Sequence, residues 1–406
     1  LQAPHFRAGG VDLSAYRHGT INLDLVPAAL RPVDPEITLR DVRWTDRIPA
    51  ETFSFTSAEI EFQGKAYRAL LYYPHPERKV ENFQPPTVLE FLCESIPGLA
   101  YGDEVVLRLE SARFADFYAT DPYRPVFHLA PRKGWMNDPN GLVHDGTLWH
   151  AFYQAYDPQV VDGLTWGHAT SPDLVQWEEQ PVALLPDENG QCWSGSAVRT
   201  EEGLACLFTY WNPREDGRQC QGLATSRNGT EFLMHPGNPV IPQLRHQPGQ
   251  PDHADFRDPK VFWHEETERW IMVVAGGELR FYGSTNLVEW ELLGHQPEIV
   301  TECPDLFRLD SPRGPVWVLS GGGDWMQVGE FDGFRFTPTQ ARQRFTWGPD
   351  GYATQTFSDA PDGRRIALTW LYSWKYGVEM KPSGVRHPFP TSWSGGCQYT
   401  PVELSL

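Results

Sequence analysis

Three short stretches decide the architecture: GHATSPDLVQWE at 167–178, GLATSRNGTEF at 222–232 and FYGSTNLVEWE at 281–291. Each reads as the end of one strand, a polar turn and then an aromatic at one fixed offset. The turns Ser-Pro-Asp, Arg-Asn-Gly and Ser-Thr-Asn use residues that bend the backbone or bond to it locally. A degenerate fourth copy, VGEFDGFRF, ends at Phe336. The closing aromatics, Trp177, Phe232, Trp290 and Phe336, lie 55, 58 and 46 residues apart. A period near 50 residues with several strands in each copy is how propeller blades read. Sharing the tract 134–394 at this period gives about five blades. A β-sandwich also supplies hairpins with such turns, but it does not readily give the fixed aromatic offset.

Away from the repeat, the chain is a series of short runs rich in β-branched and aromatic residues, bounded by Gly, Pro, Asn and Asp, and helical periodicity is nearly absent. The expected fold class is all-β. The chain changes character between residues 120 and 134. Residues 1–122 are therefore expected to form a β-sandwich-like module, with an alternating strand at 52–62, and residues 123–406 a five-bladed β-propeller. A sugar-binding module is the second reading of the leading segment, with Tyr67, Tyr72 and Tyr73 as its candidate exposed aromatics.

The balance of 34 basic against 53 acidic residues gives a net charge of −19. Such a chain is a poor match for nucleic acid or an anionic membrane, which are bound mainly through clustered Lys and Arg. No run approaches the roughly 18 apolar residues of a membrane span. The six cysteines are scattered singly, without Cys-x-x-Cys, so buried free thiols are expected rather than a zinc site or a redox pair. His144, His150, His168 and His253 have no metal-ligand spacing, and no metal or cofactor is expected. The chain starts at Leu1 with no visible secretory leader. The cytoplasm is the expected compartment, with secretion as the alternative. Sixteen Trp and fifteen Tyr suit either an aromatic β core or a surface that stacks on sugar rings.

Three acidic clusters stand near expected blade starts: WMNDPNG at 135–141, FRDP at 256–259 and ECPDLF at 302–307. An Asp before Pro ordinarily only shapes a loop, and Asp34 and Asp121 are read that way. Asp138, Asp258 and Glu302 differ because they are in register with the repeat. The innermost strand of every propeller blade lines the central channel, so equivalent positions converge at one end of it. Converging carboxylates beside aromatics describe the machinery of glycoside hydrolysis.

Taken together, these motifs resemble glycoside hydrolase family 32, the β-fructosidases. FYQ at 152–154, WGHATSPDLVQWE at 166–178, WSGSA at 193–197 and GPDGYATQTF at 348–357 follow in the right order. The resemblance covers about two thirds of the chain. It implies a retaining hydrolase of β-D-fructofuranosides such as sucrose and short fructans. Asp138 would be the nucleophile, Glu302 the general acid/base, and Asp258 the residue that holds sugar hydroxyls. It further implies that Asn137, Gln154, Ser194, Arg257 and Asp350 line the fructose subsite, with Trp193 and Trp370 as its apolar wall. A retaining furanosidase needs one ionised and one protonated carboxyl about 5 Å apart. Arg257 is expected to keep Asp258 ionised, and neighbouring carboxylates to raise the acid. Cys303 matches a supporting position rather than a nucleophile.

The sequence departs from the family pattern at three places. No Trp follows FYQ in the stretch 156–163, Thr346 replaces an acidic residue, and Val402 stands where an Arg is usual. The rival readings are a fructosyltransferase with a sugar acceptor and a non-catalytic fructan-binding protein. Five-bladed arabinanases and xylosidases are more distant.

Overall fold

The four repeat turns share one local cause. Asp173 Oδ1 accepts from the backbone amides of Val175 and Gln176, and Asn228 Oδ1 from those of Thr230 and Glu231. Asn286 Oδ1 does the same for Val288 and Glu289, and Asp332 Oδ1 for Phe334 and Arg335. An Asx side chain that mimics a backbone turn therefore sits at one place in each copy. It is the hairpin between the third and fourth strands of a blade.

The computed structural model describes residues 2–25, 28–75, 84, 86–120, 124–157, 160–243, 255–312, 314–372 and 393–406. Asp121, His253 and the expected boundary at 122/123 lie outside them. The described residues fall into two compact units, one within 1–123 and the other comprising 124–372 and 393–406.

The first unit holds helix α1 (Ala3–Ala8) and strands β1 (Ile21–Asp24), β2 (Leu30–Pro32), β3 (Ile37–Val42), β4 (Glu51–Phe62), β5 (Lys65–Pro74), β6 (Val88–Cys93), β7 (Val106–Arg108) and β8 (Phe114–Asp116). Its main sheet runs β1-β6-β5-β4-β3 with β7 on β4, while β2 and β8 make a separate two-stranded ribbon. Strands β4 and β5 are joined through Gln63 and Gly64, both at positive φ (51° and 75°), the geometry of a tight two-residue hairpin. Both faces of β4 are covered. Phe53 and Phe55 pack with Phe6 of α1, while Ile60 and Phe62 serve a second core with Leu71 and Phe91. The same covering corrects the expectation of exposed tyrosines. Tyr67 is buried, and Tyr72 lies stacked on Phe53 with ring centroids 5.6 Å apart. Tyr73 packs against the second core.

The second unit contains five consecutive sheets. Blade I comprises β9 (Gly134–His144), β10 (Trp149–Tyr156), β11 (Thr165–Ser171) and β12 (Glu178–Leu184). Blade II comprises β13 (Gln191–Thr200), β14 (Gly203–Asn212), β15 (Arg218–Ser226) and β16 (Leu233–Met234). Blade III holds β17 (Arg257–His264), β18 (Arg269–Ala275), β19 (Leu279–Ser284) and β20 (Glu291–Gln296). Blade IV holds β21 (Asp305–Leu309), β22 (Val316–Gly321), β23 (Trp325–Phe331) and β24 (Phe336–Pro338), with β25 (Gln343–Arg344) on β23. Blade V is built from β26 (Gly351–Thr356) and β27 (Ile366–Leu371). Its outer position is shared by β29 (Cys397–Gln398) and β30 (Val402–Glu403), while β28 (Trp393–Ser394) pairs in parallel with β9. The first strands touch in a closed circuit, β9 to β13 to β17 to β21 to β26 and back to β9. That circuit is a five-bladed propeller.

Among the described residues, four of the five seams between blades have an apolar core of their own. Phe152, Trp166 and Phe208 fill the first seam, and Leu207, Val261 and Met272 the second. Phe281, Leu306 and Leu319 fill the third, and Met136, Leu142 and Phe357 close blade V on blade I. All six cysteines are free. His150 and His168 are stacked, with Nδ1 of His150 3.0 Å from Nε2 of His168 and its Nε2 3.0 Å from Asp145 Oδ2. These two are core residues. No cluster of potential metal ligands occurs among the described residues.

At the axis, Lys260 of blade III donates to the carbonyl of Thr356 in blade V (2.8 Å) and lies 3.2 Å from Asp305 Oδ1 in blade IV. Both charged residues are almost fully buried. Removing one partner strands the other charge in the interior, which costs about 3–5 kcal/mol. Lys260→Met is therefore expected to lower the unfolding free energy measured in urea by that margin, and a second change, Asp305→Leu, to recover most of it.

Candidate active site

Propeller strands of one rank all run the same way, so the starts of β9, β13, β17, β21 and β26 meet at one end of the channel. Four of the five carry a register shift there. In β9 it falls at Asn137–Asp138, in β13 at Ser194, in β17 at Asp258–Pro259 and in β26 at Ala353–Thr354. A bulge places an extra residue in one strand and re-aims its side chain. In blade IV the turn just before β21 does the same work, with Cys303 at φ 43°. Asp258 is also left-handed, at φ 62°. Strained non-glycine backbone of this kind persists only where neighbours hold it.

Those neighbours are specific. The Asp258 amide donates to Thr209 Oγ1 (2.9 Å), and Asp258 Oδ2 accepts from the Cys303 amide (2.9 Å). The Cys303 thiol points at Asp138 Oδ2 (3.6 Å), which also accepts from the Ser194 hydroxyl (2.7 Å). Glu302 is gripped at both oxygens, Oε1 by Arg257 Nη2 and Oε2 by the Tyr352 hydroxyl, each at 2.5 Å. Its backbone carbonyl accepts from the Gly322 amide (2.8 Å). Gly322 sits at φ 60°, and a Cβ there would meet the Tyr352 ring at 3.1 Å, so a side chain would push Tyr352 off Glu302. Arg257 further holds Asp255 Oδ1 at 2.5 Å and lies 3.7 Å from Asp258 through Nε.

The structure thus brings Asp138, Asp258 and Glu302 together with Ser194 and Arg257. Arg257 makes its close contacts with Glu302 and Asp255, and from 3.7 Å its charge also draws the Asp258 carboxyl down. Burial pushes the Asp258 carboxyl up to about 6, more than Arg257 and the Cys303 amide can pull it down. Burial likewise raises Asp138, against the Ser194 and Asn137 hydrogen bonds. Glu302 runs the other way. Burial raises it, but the Tyr352 hydroxyl and Arg257 together outweigh burial and leave it below the ordinary value. The Cys303 thiol is raised well above its usual range by burial and by the three carboxylates, so it acts as a hydrogen-bond donor and not as a nucleophile.

The remaining expected positions are more scattered. Asn137 is buried and accepts from Trp135 Nε1 (2.9 Å). Gln154 is buried and donates to the Cys192 carbonyl (2.9 Å). Trp193 stacks on Trp211 with centroids 5.0 Å apart. Trp370 is fully buried, with Nε1 donating to the Gly395 carbonyl and its ring against Trp135, so it backs the site rather than forming an open wall. Asp350 lines a mostly apolar groove of about 380 Å³ with Trp347, Thr354, Tyr399 and Leu404. Sequence reasoning missed Tyr352, Thr209 and Asp255. Tyr352 lies inside the quoted GPDGYATQTF and Asp255 just before FRDP, so chain proximity was the one available signal.

Because folding raises Asp258, the folded state takes up a proton between the ordinary value of 3.8 and about 6. This group's contribution therefore falls as pH rises through that window, and its full cost is present above it. Asp258→Asn is expected to melt higher than the parent at pH 7.5, with the gain vanishing by about pH 4. Calorimetry across that range checks it.

A family model for the glycosyl hydrolases family 32 N-terminal domain matches residues 128–406. A levanase of Bacillus subtilis is 38% identical over 325 residues, covering 71% of this chain and 46% of its own length. An invertase of Debaryomyces hansenii is 35% identical over 319 residues, covering 68% and 56%. Among solved structures, the exo-inulinase of Aspergillus awamori superposes with a TM-score of 0.61 at 30% identity, over 71% of this chain and 65% of that one. The chain spans only about half the length of the curated relatives it matches. The propeller, its converging carboxylates and these matches agree, and the chain belongs to glycoside hydrolase family 32.

Proposed function

We propose that the chain hydrolyses β-D-fructofuranosides such as sucrose and short fructans, with retention at the anomeric carbon. Relatives named levanase, exo-inulinase and invertase support the substrate class. The observation that carries the reading is the grouping of Asp138, Asp258 and Glu302 around shared hydrogen-bond donors at one mouth of the channel.

In this reading, Asp138 attacks C2 of the fructosyl unit while Glu302 protonates the departing glycosidic oxygen. Water then attacks the covalent fructosyl-enzyme, with Glu302 taking its proton. Ser194 and Cys303 both bond Oδ2 of Asp138, which turns the other oxygen toward the sugar. A guanidinium cannot accept a hydrogen bond, so the acid form of Glu302 carries its proton on Oε2, with Tyr352 turning its hydroxyl to accept. Asp258, ionised above about 6, is placed to accept from sugar hydroxyls. No cofactor enters the scheme.

Asp138→Ala or Glu302→Ala is expected to lower kcat on sucrose by several orders of magnitude with the fold intact; near-parental turnover by either variant sinks the assignment. Incubation with sucrose, inulin and levan identifies the substrate. Product analysis at high sucrose separates hydrolysis from transfer to a sugar. The pH profile follows from the two carboxyls. Asp138 must be ionised but is raised above 3.8, while Glu302 must be protonated but is lowered below 4.5. Ionisation of one carboxyl and protonation of the other must coincide, so kcat/KM is expected to be bell-shaped with an acidic optimum.

A further inference from the structure

Arg257 meets three carboxylates with one positive charge, and only two of those groups lie at the carbohydrate chemistry. The third is Asp255. It takes Arg257 Nη1 at 2.5 Å, while Nη2 of the same guanidinium holds Glu302 Oε1 at 2.5 Å and Nε faces Asp258 at 3.7 Å. The fork is rigid and planar, so anchoring one arm fixes where the other points. Asp255 is itself held in place. A Cβ on Gly276, at φ 129°, would stand 2.0 Å from the Asp255 carbonyl oxygen, a close approach that only glycine allows. Gln219 Nε2 donates to Asp255 Oδ1 (3.4 Å), and Gln219 Oε1 accepts from the Phe256 amide at 2.7 Å. Blade II thus steadies the segment that carries Arg257.

We propose that Asp255 is a positioning residue of the active site: it anchors Arg257 and draws off part of its charge, so that Glu302 remains able to carry the proton it must donate. The inference rests on the reading of Glu302 as the acid/base. The logic is one of competition. With Asp255 present, the guanidinium's field is shared among Asp255, Asp258 and Glu302. Without that carboxylate, the same cation is left to Glu302 and Asp258, and Glu302 gives up its proton at lower pH. The titratable groups interacting with Glu302 are Arg257, Tyr352, Asp255, Asp138, Asp258 and Cys303, and of these Asp255 can be replaced without touching the sugar site.

The test uses the intact chain with Asp255→Asn and Asp255→Ser, which both remove the charge, so that one variant still decides if the other does not fold. Glu302 is titrated directly, by ¹³C-carboxyl labelling of glutamate with Glu302→Gln to assign the resonance, and the kcat/KM profile on sucrose is measured alongside. The expected result is a fall of about half a unit to one unit in the Glu302 midpoint. The limb of kcat/KM that reports Glu302 should move by the same amount, and Asp255→Glu should restore both. A Glu302 midpoint that coincides in parent and variant overturns the proposal. Because the titration needs no substrate, inactivity of the parent on every fructoside would count against the proposed function alone.

Discussion

Closure of five strands into a ring is the constraint on which the rest depends. Once β9, β13, β17, β21 and β26 touch in a circuit, their starts must meet, whatever lies in the outer strands. Convergence alone aims nothing, because regular strands send alternate side chains to the two sides of each sheet. The register shifts at Asp138, Ser194, Asp258 and Ala353, together with the turn at Cys303, break that alternation at one level of the barrel. Four local irregularities and one turn thus convert a stack of sheets into a site.

The electrostatics follow from that crowding. Three carboxylates crowd together and only Asp258 and Glu302 meet the Arg257 guanidinium, so each settles by its own surroundings. Asp258 and Asp138 are raised because burial dominates, whereas Glu302, more open at the mouth, is lowered by Tyr352 and Arg257. Both shifts run against the roles proposed for Asp138 and Glu302. In the proposed reaction, binding energy from parts of the substrate remote from the bond that breaks can offset them.

The blade repeat was legible because its cause is local. Asp173, Asn228, Asn286 and Asp332 each bond amides two and three residues on, and such chemistry survives as a sequence pattern. Asp138, Asp258 and Glu302 were legible because they stand in register with that pattern. The left-handed backbone at Asp258 and Cys303 left no such mark, since it is sustained by Thr209 and by residues from other blades. Trp370 read as a pocket wall because position along the chain does not tell which side of Trp135 a ring will take. In the leading unit, α1 covers a face of β4 that the alternation at 52–62 would have left open. That covering depends on Phe6, some fifty residues earlier.

The parallel pairing of β28 with β9 means that the first blade is finished by residues 393–394, far along the chain. During synthesis, the blade bearing Asp138 therefore leaves the ribosome incomplete and waits for more than two hundred further residues before its last strand arrives. The ring of first strands needs nothing beyond β26 (Gly351–Thr356) to reach back to β9, so it is complete in sequence before the blade that carries Asp138 has its last strand. Residues 393–394 thus arrive as a clasp laid along β9 after the five first strands are already made.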